Sequence, residues 1–245
     1  MSILKKLLPN NLKQEGKYLL LNLLKMPFNR AGVPVDITEW VPNRHPINFI
    51  DIGASKGNFS HALNTYYQVN KAVLIDPIPH NAAALQHRFT TGNFTVINAA
   101  VSDKASEADF YITEEFDVLS SLFPMKDEHL KPFNIPHPQK TTVKTDTLDK
   151  IFNGLKLDKI DLIKIDLQGA EHLVLSNAAR TLKATRAVYT EFSYKPMYDG
   201  SSTFFDVFEM LTKANFRMVN TSTAYKLNNG EIVQGDALFI NNNEL

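Results

Sequence analysis

From residue 47 onward, short apolar runs alternate with segments of helical period, and this alternation limits the fold more than any other feature. Ile47–Ile52 (INFIDI) is followed by helical spacing over Phe59–Tyr67. Lys71–Ile75 (KAVLI) is followed by residues 79–89, with proline near the first turn and good helix formers after it. Phe94–Ile97, Ile160–Ile165, Arg186–Glu191 and Asp236–Ile240 repeat the strand signature. Residues 170–183 and 202–215 repeat the helical one, with Phe204, Phe205, Phe208, Leu211 and Thr212 near one face. Buried runs interleaved with helices predict βαβ units and a mostly parallel, doubly wound α/β sheet covered on both sides. The chain closes with Phe216–Asn220, the turn pair Asn229-Gly230 and Asp236–Ile240. Strands joined by a hairpin are antiparallel, so an antiparallel edge is expected at the C-terminus.

Two regions fall outside the alternation. Residues 1–46 read as an N-terminal helical extension and linker, with 47–245 as the main domain. Pro27, Gly32, Pro34, Pro42 and Pro46 mark the linker. The leucines of residues 1–26 suit an amphipathic helix or two, covering the domain or a second copy. A membrane-surface anchor is the other reading. Residues 99–147 hold a strand at Asp109–Thr113, then a stretch from about 114 to 140 containing Pro124, Pro132, Pro136 and Pro138. Connections of that length are usually lids or binding loops, and a substrate-side loop is expected over a plain surface excursion.

Charge and cysteine usage exclude several classes of function. Lys+Arg and Asp+Glu are both 26, so a general nucleic-acid binder with a basic surplus is not expected. With no cysteine, disulfide scaffolds, thiolate zinc sites and cysteine nucleophiles are out. No stretch approaches the roughly 20 apolar residues of a membrane span, since Asn22 and Lys25 interrupt the nearest candidate. The N-terminus reads as retained, in a cytoplasmic protein.

Candidate chemistry lies at the ends of the predicted strands. Asp51-Ile52-Gly53-Ala54-Ser55-Lys56-Gly57 is a glycine turn between strand and helix. Glycine lets a backbone approach a ligand, and the helix start offers free N–H groups to a negative group. Asp76, at the end of the next strand and followed by Pro77, is placed to hydrogen-bond ribose hydroxyls. Alternatively Asp76-Pro77 is an ordinary strand-end turn. Together the two signals point to an adenosine-type ligand. Ser55 and Asn58 break the full G-x-G-x-x-G pattern, which weighs against NAD and leaves room for S-adenosylmethionine. Lys164-Ile165-Asp166-Leu167-Gln168-Gly169-Ala170-Glu171-His172 places Asp166 at the carboxyl end of a strand, facing the crevice shared with Gly53. Glu191 ends another strand at the same rim. Asp166, Glu171 and Glu191 are hard oxygen ligands, but their spacing demands no metal, and none of the seven histidines has zinc-site spacing.

The ordered series FIDIGASKGNFS, VLIDPIP, VINAAVSD, VKTDTLD, KIDLQGAE and VYTEFSY resembles the FkbM family of S-adenosylmethionine-dependent methyltransferases, over roughly residues 47 to 220. The resemblance implies a Rossmann-like class I methyltransferase fold and O-methylation of hydroxyls on sugars, glycans or other small natural products. It implies that Asp51, Gly53, Ala54, Ser55 and Gly57 form the cofactor turn. Asp76 and Pro77 lie by the ribose, and Asn98, Ala99 and Ala100 border the adenine or the turn beneath it. Where the family carries glutamate in the turn after the fourth parallel strand, this chain has Gln168.

A hydroxyl acceptor needs a base, and Asp166, which also borders the cofactor, is the first candidate. Glu191 and His172 rank second, while Glu171 orients the acceptor. Two other readings stay open: a catalytically silent scaffold of the same fold, which Gln168 keeps alive, and an NAD-dependent oxidoreductase.

Overall fold

The computed structural model describes residues 28–131, 134–226 and 230–243. The helices expected over residues 1–26, and a contact with a second copy through them, lie outside the described residues, as does Asn229 of the expected turn pair.

In chain order the described elements are α1 (Val35–Trp40), β1 (Ile47–Ile52), α2 (Asn58–Tyr66), β2 (Val69–Ile75), α3 (Pro79–Arg88), β3 (Phe94–Ile97), β4 (Ala100–Val101) and β5 (Ser106–Ile112). A 3-10 turn (Glu114–Leu119), α4 (Asp127–Leu130), β6 (Gln139–Asp146), α5 (Leu148–Leu155) and β7 (Ile160–Ile165) follow. The chain continues with α6 (Glu171–Ser176), α7 (Ala179–Lys183), β8 (Thr185–Ser193), α8 (Phe204–Lys213), β9 (Phe216–Lys226) and β10 (Ile232–Asn241). The main sheet has seven strands in the order β3-β2-β1-β7-β8-β10-β9. β3, β2, β1, β7 and β8 pair in parallel, while β10 inserts antiparallel between β8 and β9.

Strand alternation splits the apolar runs between two cores. On one face Ile50, Ile52, Val73, Ile75, Ile163 and Ile165 pack against α5 to α8. On the other, Phe49, Ala72, Leu74, Leu162 and Leu238 pack with α1, α2 and α3. A strand buried on both faces reads as continuous hydrophobics, and that is why INFIDI and IDLIKI stand out in the sequence.

The structure departs from the sequence expectations in four places. The linker is not a linker in packing: Val33, Ile37 and Val41 are no more than 1% exposed and belong to the second core. Residues 170–183 are two short helices rather than one, broken at Asn177, whose side chain donates to the backbone of Asp103. Phe205 is 70% exposed, so the buried stripe of α8 is Val207 and Leu211, with Phe204 and Phe208 partly covered. A three-stranded sheet, β4-β6-β5, occupies part of the region read as irregular. The stretch after β5 folds over its own small core of Met125, Leu130 and Tyr198, because Leu119, Phe123 and Ile135 supply enough apolar surface to pack there.

Candidate active site

Chain order in the sheet reverses between β1 and β7, and open α/β sheets bind ligands outside the carboxyl ends of the strands at such a point. A crevice lies there, lined by Gly53, Ser55, Asp76, Pro77, Asp166 and Gln168 among others. Its apolar wall comes from Ile78, Val101, Phe110, Val118, Leu122 and Leu167.

The glycine turn is held from within. Gly53 and Ala54 donate to Ile75 O, both at 3.0 Å. Gly53 has φ +80, and a Cβ there would lie 1.9 Å from Asp166 O. Close approach to the β7 loop by itself requires glycine here, at a position that also lines the crevice. Gly57, at φ +75, precedes α2, and a Cβ there would meet Phe89 and Leu85. Asp51 is fully buried beneath the turn, where it accepts from Ser60 Oγ and lies 3.7 Å from Lys164 Nζ. Burial pushes its carboxyl above the ordinary range despite Lys164 and Ser60.

Asp76 directly follows β2, with its carboxylate turned onto the same loop. Oδ2 accepts from Ser55 N at 2.8 Å, and Oδ1 from Ile78 N at 2.9 Å and Asn81 Nδ2 at 3.3 Å. Burial still holds its pKa above the usual value. Asn98 is exposed and donates to Asp76 O at 2.9 Å, supporting the turn. Ala100 lines the crevice, whereas Ala54 and Ala99 are buried outside its lining.

On the β7 side the charges form a side-chain network. Asp166 Oδ2 pairs with Lys164 Nζ at 3.0 Å, and Oδ1 accepts from Gln168 Nε2 at 2.9 Å. The same Gln168 nitrogen donates to Glu191 Oε2 at 2.7 Å, so both of its protons are used. Asp236 pairs in register with Glu191 from β10. Burial, followed by Asp166, Glu171 and Asp236, raises Glu191 well above the ordinary glutamate value. Burial pulls Lys164 downward, but Asp166, Asp51 and Glu191 outweigh it and keep its ammonium firmly protonated.

Glu171 and His172 are not brought into this group. Glu171 is 2% exposed and lies under the loop, where its Oε1 accepts from Leu167 N and Gly169 N, each at 3.1 Å. Burial pushes it up to about 7. It braces the backbone, so the orienting role does not match its position. His172 stacks on Phe123 at 5.7 Å and lines a separate depression with Ser202 and Asp206; burial lowers its pKa. Among the described residues no group of three or more acidic or histidine side chains is arranged to hold a metal.

Several residues of the site carry no signal in the sequence. The covering segment contributes Asp117, Val118, Ser120 and Leu122 to the crevice. Ser121 Oγ is within 3.0 Å of Gln168 O, and Tyr198 OH lies 3.1 Å from Leu119 O and 3.2 Å from Gln168 Oε1. Only the proline-rich length of the segment hinted at a part in the site.

A Rossmann-like sheet with β10 inserted antiparallel, and an acid-edged crevice at the switch point, define the class I methyltransferase fold. The chain belongs to the FkbM methyltransferase family, whose model, "Methyltransferase FkbM domain", matches residues 51–218. It is 26% identical over 185 residues to the 2-O-methyltransferase NoeI of Sinorhizobium fredii (strain NBRC 101917 / NGR234), covering 72% of this chain and 75% of that protein. A crystal structure of methyltransferase FkbM from Methylobacillus flagellatus KT matches 80% of this chain at 17% identity and a TM-score of 0.49; this chain spans only 43% of that one. Magnesium protoporphyrin IX methyltransferase (ChlM) from Synechocystis PCC 6803, with bound SAM, matches 84% of this chain and 77% of its own at 11% identity and a TM-score of 0.48. No helix among the described residues is long and apolar enough to cross a membrane.

Proposed function

We propose that the protein transfers a methyl group from S-adenosylmethionine to a hydroxyl of a sugar, glycan or other small natural product in the cytoplasm, with no nucleic acid involved. The observation that carries the reading is the position of Asp166, at the carboxyl end of β7 and on the same crevice as Gly53, Ser55 and Asp76.

The residues present suit that cofactor. Asp76, with Ser55 and Pro77 beside it, offers carboxylate lone pairs to ribose hydroxyls, and Ile78, Val101 and Phe110 offer an apolar wall to adenine. The carboxylates on the β7 side suit a cationic sulfonium. When bound, S-adenosylmethionine supplies an electrophilic methyl whose C–S electron pair leaves with sulfur. Asp166 takes the hydroxyl proton as the new O–C bond forms, and Lys164, at 3.0 Å, keeps that carboxylate in place before transfer. Val118, Leu122 and Leu167 keep water from the reacting centre. Orientation does the remaining work, because the donor is already activated. The name of NoeI, a 2-O-methyltransferase, favours a hydroxyl over an amine as acceptor.

Calorimetric titration with S-adenosylhomocysteine, with NAD as comparison, tests the reading. Micromolar binding lost in Asp76→Ala is expected. Absence of binding to the folded protein at millimolar ligand overturns it and leaves a silent scaffold of the same fold.

A further inference from the structure

We propose that Gln168 is a positioning residue, its carboxamide fixing Asp166 and Glu191 as one proton-accepting unit and fastening that unit to the segment over the crevice. The inference rests on the methyltransferase reading, in which Asp166 is the base.

The geometry is specific to an amide. Nε2 spends one proton on Asp166 Oδ1 at 2.9 Å and the other on Glu191 Oε2 at 2.7 Å. Oε1 faces Tyr198 OH at 3.2 Å, and that hydroxyl also lies 3.1 Å from Leu119 O in the covering segment. Tyr198 is 2% exposed and belongs to the small core beneath that segment, so this end of the chain of contacts is rigid. The backbone at residue 168 has φ +54, a strained conformation for a side-chain-bearing residue, followed by Gly169 at +97. The turn thus accepts a backbone cost while aiming the carboxamide between two strands that are neighbours in the sheet.

An ionised glutamate at 168 has no proton to donate to either acid. It would add a charge where Asp166, Glu171 and Asp236 already surround Glu191, with Lys164 the facing cation. Gln168 therefore donates to both acids without having to take up a proton first.

The test uses the full chain with S-adenosylhomocysteine bound. Selective 13C labelling of glutamate side chains gives a pH titration of Glu191, assigned with Glu191→Gln. In Gln168→Leu the carboxylate loses its donor, and the Glu191 midpoint is expected to rise by about one pH unit. Gln168→Glu is expected to raise it too, by adding a like charge. Tyr198→Phe removes only the hydroxyl that holds the amide. It covers the case in which Gln168→Leu does not fold, and it is expected to move the midpoint upward by less. An unmoved midpoint in either folded variant, with S-adenosylhomocysteine still bound, overturns the clamp and leaves the methyltransferase reading standing. Failure of the wild-type chain to bind S-adenosylhomocysteine overturns both.

Discussion

The two sides of the crevice are held together by different physics. On the β1–β2 side, Asp76 is satisfied by neutral donors, two backbone N–H groups and the Asn81 amide, close in sequence or in an adjoining turn. On the β7–β8 side, Asp51, Lys164, Asp166, Gln168 and Glu191 hold one another through charge and side-chain hydrogen bonds from three strands and a loop. Neutral donors fix a shape that depends little on salt. A buried charge network is only as stable as its balance, so loss of one member leaves the others unpaired in a poor solvent for ions.

The largest effect should come where the two sides touch. Gly53→Ala places a Cβ 1.9 Å from Asp166 O at a φ of +80, and backbone has no rotamer with which to yield. Loss of most folded protein in a soluble-expression and thermal-unfolding comparison is expected. A well-folded variant would show that the β1 and β7 loops move apart easily, and the two sides would then be independent.

Lys164→Met comes next. It strips the cation from Asp51, which is fully buried, and from Asp166. Breaking a buried pair costs about 3–5 kcal/mol, measured by denaturant unfolding at pH 8. The sign with pH follows from the direction of the Asp51 shift. Its folded pKa is raised, so the folded state gains protons on acidification and the deficit should shrink as pH falls. An undiminished deficit at acidic pH would assign the loss to packing of the lysine stem over Phe59, whose ring lies 5.4 Å from the ammonium.

Glu171 gives a smaller, graded effect. Its folded pKa of about 7 lies above the ordinary 4.5, so its contribution is fully present below pH 4.5 and is lost as pH rises through 7. The full span is on the order of 3 kcal/mol, given 1.36 kcal/mol per unit. Glu171→Gln keeps an oxygen for Leu167 N and Gly169 N and turns an amide toward Ser202. It should flatten the stability–pH curve between those limits. A curve of unchanged slope would place the titration on Glu191 instead, whose carboxyl is also raised by burial.

The neutral-donor side is the legible one. FIDIGASKG and LIDP are contiguous, and each strand end names its own turn, so the β1–β2 side follows from period and glycine alone. Even there the reason for Gly53 was hidden, since it depends on a carbonyl more than a hundred residues away. On the β7 side the sequence shows acids at strand ends but not their partners. Gln168 looks like a lost charge until its two protons are seen to be shared, and Tyr198 has no signature because its contacts come through the covering segment. His172 and Glu171 were misplaced because residues at a helix start turn about 100° apart, and only packing decides which faces the crevice. Val33, Ile37 and Val41 were hidden by prolines that mark turns as readily as boundaries.

The covering segment offers the smallest effect and the finest discrimination between the two kinds of support. Asp117 lies 3.2 Å from Lys56 Nζ and 3.3 Å from His80 Nε2, joining the 3-10 turn to the glycine loop and to α3. Burial works to raise its pKa, but the bonds from His80 and Lys56 outweigh burial and hold the carboxyl below its usual value. Lys56 and His80 are both largely exposed, at 60% and 63%, so water and salt screen the contact. Meanwhile neutral bonds hold the same segment, from Ser121 to Gln168 O and from Tyr198 to Leu119 O. Asp117→Asn should therefore change unfolding stability by under about 1 kcal/mol. It should speed S-adenosylhomocysteine release by no more than about fivefold, an effect that 0.5 M salt reproduces in the wild type, as about 1 kcal/mol in a dissociation barrier implies. A much larger acceleration, insensitive to salt, would mean that the segment is closed by its charges and belongs with the β7 network rather than with the neutral-donor side.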